Sequence, residues 1–121
     1  MTLPGACASI SDWYVSAHAF CLPSRWEGFP NALAEALATG LPCVGFTGCA
    51  GVRDLIKHEE NGLLADGNGN VDSLCDALSK VMSSSAMRDA MSNAAVESIE
   101  SYDPETIFSL WESVLTAATN K

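Results

Sequence analysis

Glu27 and Glu35 stand eight positions apart within SRWEGFPNALAEALATGLPCV, residues 24–44. Pro30 suits the first position of a helix, where no backbone N–H is needed, and Gly40 suits its stop. A helix starting at Pro30 leaves the N–H groups of Asn31 and Ala32 pointing out of its N-terminus, where the dipole favours an anion such as phosphate. Asn31 and Glu35 share one helical face, with Glu35 about 6 Å further along the axis. A ligand with a phosphate at the helix end and hydroxyls beyond it would meet both. Glu27 precedes the helix in a turn with Gly28, whose missing Cβ lets a ligand approach the backbone. A carboxylate there can accept hydrogen bonds from sugar hydroxyls or stabilise positive charge developing at a sugar carbon.

The same pattern has a plainer reading. Leu33, Ala36 and Leu37 fall on one side of a helical wheel and Asn31, Glu35 and Thr39 on the other, as in any amphipathic surface helix. Spacing alone leaves both readings open. Two details favour an approach surface: the helix holds no Lys, Arg or Gln, and Glu35 is flanked by Ala34 and Ala36. If Glu35 is buried, it requires partners, because an unpaired buried carboxylate is costly.

Positioning these residues requires a scaffold. AHAFCLP (17–23) and GLPCVGF (40–46) are short apolar runs that predict buried strands, and NGLLAD (61–66) predicts a third, opened by Asn-Gly and closed by Asp-Gly. Helical patterns separate them, PNALAEALATG first and GVRDLIKHEE second. Strand, helix, strand, helix, strand is the order of a parallel sheet with right-handed crossovers. Val71, Leu74, Leu78, Val81 and Met82 then recur at helical spacing, SSS at 83–85 interrupts them, and Met87, Ala90, Met91, Ala94, Ala95 and Ile99 resume it. Asp103-Pro104-Glu105 starts a last helix with Ile107, Leu110, Trp111, Val114, Leu115 and Ala118 on one side. The expected fold is α/β, a small parallel sheet flanked by helices, with edges that something else should cover.

Composition narrows the function classes. A chain of 121 residues, 48% apolar and 17% charged, forms a single globular domain, residues 1–121, or part of one. The net charge of −9 argues against nucleic acid or anionic lipid as a partner. Apolar stretches end well before the roughly 18 residues of a membrane span and no signal-peptide series opens the chain, so a soluble, cytoplasmic protein is expected. Cys7, Cys21, Cys43, Cys49 and Cys75 are scattered and predict reduced thiols. With His18 and His58 lacking partners at a useful spacing, no metal site is expected.

LPSRWEGFPNALAEALATGLPCVGF resembles the donor-site signature of retaining glycosyltransferases of family 4, a Glu, seven residues and a second Glu, here Glu27 and Glu35. The similarity extends through GVRDLI, ENGLLADG, the helix near Val71, NAA at 93–95 and the Asp-Pro-Glu helix. It implies the C-terminal half of a GT-B fold, a partial Rossmann-like domain that binds a nucleotide sugar. By that resemblance Glu27 is catalytic and, with the amides after it, those of Gly28 and Phe29, meets the transferred sugar. Asn31 and Ala32 take the diphosphate, and Glu35 the ribose hydroxyls. The reaction implied is transfer of a hexose, with retention, from a nucleotide sugar to an acceptor hydroxyl in polysaccharide or glycolipid synthesis, without metal or other cofactor. UDP is the expected nucleotide, because the Ser-Arg, one residue, Glu-Gly-Phe-Pro-Asn form resembles transferases that build bacterial surface polysaccharides. The parent enzyme would then work in the cytoplasm or at the cytoplasmic face of the inner membrane.

Departures from the family pattern carry their own expectations. AHAF replaces the usual Ala-Asp before the strand. The Arg and Lys that neutralise the diphosphate in such proteins belong to an earlier strand-helix unit, and the acceptor site to an N-terminal domain; neither is found in these residues. Arg25 and Arg53 are the nearby bases, and Arg25 is expected to partner a local carboxylate or carbonyl. The chain alone should be inactive and need the missing N-terminal GT-B domain. Its last helix should leave the Trp111 face exposed or buried in a dimer. The alternative is a non-catalytic interaction or assembly module that keeps the fold.

Overall fold

The computed structural model describes residues 2–119. Its centre is a parallel sheet of three strands, β1 (Phe20–Leu22), β2 (Cys43–Phe46) and β3 (Gly62–Ala65), in spatial order β1-β2-β3. Each strand lies inside one of the apolar runs expected to form it. Phe20 pairs with Cys43 and Cys43 with Gly62, and every residue of β2 is buried, as the central strand of a sheet covered on both faces must be. A Cβ on residue 62 would collide with the Cys43 carbonyl, so only glycine allows this register.

Helices α1 (Ile10–Ser16), α2 (Asn31–Ala38), α3 (Ala50–Leu55), α4 (Val71–Ser83) and α5 (Ser85–Ile99) cover the two faces, and α6 (Pro104–Thr119) follows them. The period of two along each strand sorts the core into two layers. Phe20, Leu22, Cys43 and Leu64 pack with Leu33, Ala36 and Leu37 of α2 and Val52 and Leu55 of α3. Cys21, Val44, Phe46, Leu63 and Ala65 pack with Ala77 and Val81 of α4 and Met91 of α5.

Local signals account for most helix ends. Pro30 is the N-cap of α2, in an extended conformation, rather than its first helical residue, and Gly40 follows the helix in the left-handed region at φ +77°. The break at SSS arises because the Ser84 side chain accepts from the Met87 amide and starts α5. Asp103 accepts from the amides of Glu105 and Thr106 and starts α6 as its sequence predicts. The short helix α1 has no counterpart among the expected elements. Its single buried residue is Tyr14.

The outer edges of β1 and β3 carry no further strand among the described residues. Helix α6 buries none of its residues, and Leu110, Trp111, Val114 and Leu115 are 57–61% exposed. The expected Trp111 face is therefore bare within this chain. No helix among the described residues is long and apolar enough to cross a membrane.

Candidate functional site

Parallel strands deliver their carboxyl ends to one edge of the sheet, where the following loops must meet. Three do so here: residues 23–30 after β1, 47–49 after β2 and 66–70 after β3. The Gly48 amide donates to the Gly67 carbonyl (2.9 Å), Gly67 N–H donates to Thr47 Oγ1 (3.1 Å), and Asn68 Nδ2 donates to the Arg25 carbonyl (3.1 Å). Gly51, at the start of α3, sits directly against the carbonyls of Glu27 and Gly28, leaving no room for a Cβ. The loop carrying Glu27 is thus fixed by backbone contact from α3, which requires glycine at 51.

Arg25, Trp26, Glu27, Gly28, Gly48 and Ala50 line one shallow concavity at this edge. Glu27 is half-buried there and Trp26 is 81% exposed. Arg25, expected to partner a local carboxylate or carbonyl, pairs with no carboxylate among the described residues. Its guanidinium lies over the backbone of Gly69, where an added Cβ would come within 2.6 Å of Nε, and among the described residues the ion pair found is His58 with Glu59, at 3.9 Å. Arg53 instead donates to the Thr47 carbonyl (3.4 Å).

The Phe29 ring packs at a tilt of 47° against Tyr102, with ring centroids 5.3 Å apart. Beyond Pro30, the Leu33 and Ala34 amides are satisfied by the Pro30 carbonyl (3.0 and 3.1 Å), whereas those of Asn31 and Ala32 find no acceptor among the described residues. Asn31 and Ala32 are exposed, so these two N–H groups face solvent. Leu33, Ala36 and Leu37 are fully buried and Glu35 lies on the opposite, exposed face, as the helical wheel predicts. The structure therefore gathers Glu27 and Gly28 in the concavity, sets the free amides at the adjoining helix start, and puts Glu35 one turn further along.

Glu35 does have a protein partner. The Tyr14 hydroxyl lies 3.2 Å from Glu35 Oε2 and 3.3 Å from the Ala32 carbonyl. Burial raises the Tyr14 pKa, and the hydrogen bond and charge of Glu35 raise it further, so the phenol stays protonated and donates. Tyr14 and Gly51 are the site residues that sequence reasoning missed. Ser9 at the N-cap with Asp12 in the first turn is a helix-start signal, and a glycine inside a helical pattern marks close backbone approach. Burial also raises the thiol pKa values of Cys21 and Cys43. All five cysteines are free, and no three His, Cys, Asp or Glu side chains converge to hold a metal among the described residues.

Residues 2–98 match the protein family described as glycosyl transferases, group 1. An uncharacterized glycosyltransferase of Haemophilus influenzae is 35% identical over 106 residues, covering 88% of this chain and 30% of that protein. The UDP-Gal:alpha-D-GlcNAc-diphosphoundecaprenol alpha-1,3-galactosyltransferase of Escherichia coli is 45% identical over 62 residues, 51% of this chain and 16% of its own length. The chain thus spans less than a third of either relative. Among solved structures, the GtfA/B complex superimposes with a TM-score of 0.83 at 23% identity, covering 95% of this chain and 24% of that one. The small parallel sheet flanked by helices has the architecture of GT-B glycosyltransferases. The family match, the relatives and the shared architecture agree: the chain belongs to the group 1 glycosyl transferases.

Proposed function

We propose that residues 1–121 are the nucleotide-sugar-binding part of a retaining transferase that moves a hexose onto an acceptor hydroxyl in polysaccharide or glycolipid synthesis. The observation that carries this reading is the alignment of three features: Glu27 in the concavity, two unpartnered amides at the start of α2, and Glu35 one turn beyond. A sugar, a diphosphate and a ribose occupy the same order along a nucleotide sugar. In this reading Glu27, with the backbone amides of Gly28 and Phe29, meets the hexose and stabilises charge at its anomeric carbon, Asn31 and Ala32 bind the diphosphate, and Glu35 accepts from the ribose. The bond from the anomeric carbon to the diphosphate breaks, and a bond to the acceptor oxygen forms on the same face as the acceptor passes its proton to the departing diphosphate.

UDP is the proposed nucleotide, a choice supported by the UDP-Gal donor in the name of the Escherichia coli relative. No metal or other cofactor is needed in this scheme. An N-terminal GT-B domain would supply the acceptor site, and the parent enzyme would act in the cytoplasm or at the cytoplasmic face of the inner membrane. Titration with UDP, GDP and ADP followed by amide NMR tests the reading. UDP should move the resonances of residues 27–35; no movement with any nucleotide at millimolar concentration would overturn it.

A second reading, a non-catalytic assembly module with the same fold, draws on one observation: the apolar face of α6 is uncovered. A dimer through that face without nucleotide binding would favour it.

A further inference from the structure

We propose that Tyr14 is a positioning residue of the donor site, holding the Glu35 carboxylate by Oε2 so that Oε1 is left to receive ribose hydroxyls. The inference rests on the reading of Glu35 as the ribose partner. Tyr14 is 6% exposed and its ring is fixed edge-on against Phe20, with centroids 5.9 Å apart at 73°. Its hydroxyl is therefore delivered from a rigid mount to a spot between the Ala32 carbonyl and Glu35. At the end of α2, one neighbouring hydroxyl is engaged elsewhere. The Thr39 hydroxyl, one turn after Glu35, is already donated to the Ala36 carbonyl (2.8 Å).

The physical consequence is preorganisation. A glutamate on an exposed helical face samples several rotamers, and freezing it on binding weakens the complex. A glutamate already held by a buried phenol has lost that freedom before the ligand arrives. Tyr14 occupies one acceptor site of Oε2, and Oε1, with its own two lone pairs, suits a vicinal pair such as the 2′- and 3′-hydroxyls of ribose.

The test compares UDP with 2′,3′-dideoxy-UDP on the 121-residue chain by NMR titration. The wild type should prefer UDP. Tyr14→Phe should weaken UDP binding about tenfold while leaving dideoxy-UDP unchanged, the effect of one hydrogen bond to a charged group. Equal weakening of both nucleotides means a structural staple only and overturns the inference, as does unchanged UDP binding. Glu35→Ala separates the two levels. If it abolishes the preference for UDP while Tyr14→Phe retains it, the inference alone fails. A wild type without preference, or a Glu35→Ala chain that keeps it, overturns the ribose reading and the inference together. Should Tyr14→Phe not fold, ¹³C resonances of the wild-type Tyr14 ring decide: UDP should shift them more than dideoxy-UDP, and an equal response overturns the inference.

Discussion

The Tyr14 hydroxyl is 3.2 Å from Glu35 Oε2, a hydrogen bond that joins α1 to the exposed face of α2. It makes the stability of the fold depend on alkaline pH. The folded-state pKa of Tyr14 is raised above its ordinary 10.0, first by burial and then by Glu35. Below that value both folded and unfolded chains hold the proton and the contribution is complete. As pH rises through and above it, the unfolded chain loses the proton before the folded one, and stability falls. Tyr14→Phe should cost about 1 kcal/mol at neutral pH and flatten the decline above pH 10. Urea unfolding of both chains across that range checks this. Cys21 and Cys43, raised from 9.0 by burial, add a fall that both chains share. A parallel decline in the two would show that the phenol is not the titrating group.

Gly51 sets helix propensity against packing. On propensity alone, Ala at a helical position stabilises by about 1 kcal/mol relative to Gly. Here the added methyl would meet the carbonyls of Glu27 and Gly28, backbone atoms that move only if the whole loop moves. Overpacking of this kind costs about 1–3 kcal/mol, so the net effect of Gly51→Ala should be destabilising. It should also shift the amides of residues 25–30 in the absence of ligand. A more stable Gly51→Ala chain with an unmoved loop would contradict the close approach.

The strands were legible because buried parallel strands read as short apolar runs, and α2 because Leu33, Ala36 and Leu37 repeat at helical spacing beneath a Pro-to-Gly frame. What was not legible depends on contacts between distant residues. Tyr14 and Glu35 are separated by 21 positions, and nothing in a seven-residue helix with one buried side chain announces which acid it will reach. Gly51 likewise has a reason only once the loop after β1 is folded against it. For Arg25 the sequence leaves a carboxylate and a carbonyl open as partner, and only the fold sets its guanidinium over the backbone of a glycine with φ +105°.

Thiol chemistry should report the two core layers. Cys7 and Cys75 are exposed, Cys21 is half-buried with a raised pKa, and Cys43 and Cys49 are buried. Because the thiolate is the reactive form, an aromatic disulfide reagent at pH 8 should modify Cys7 and Cys75 quickly and Cys21 slowly. Cys43 and Cys49 should react only at the rate of unfolding. Mass spectrometry of the partly modified chain identifies the sites, and early labelling of Cys43 would mean that the face of β2 against α2 is open.

The α6 face decides between a donor-binding unit and an assembly module. Leu110, Trp111, Val114 and Leu115 are each more than half exposed, and the helix buries no residue, so it contributes little to the stability of the sheet. Trp111→Glu should therefore leave the melting temperature within a few degrees of the wild type, since surface substitutions usually change stability by about 0.5 kcal/mol or less. A patch of this kind is also a natural contact surface, so the wild type should self-associate in light scattering and Trp111→Glu should be monomeric. The residues proposed to bind the donor, Glu27 to Glu35, lie elsewhere, on the loop after β1 and on α2. If the chain is a donor-binding unit, monomeric Trp111→Glu retains the UDP-induced shifts at 27–35 in full. If those shifts vanish with the dimer, the two sites are coupled and the site cannot be assigned to one chain. If the wild type is a dimer that never responds to UDP, the assembly reading prevails.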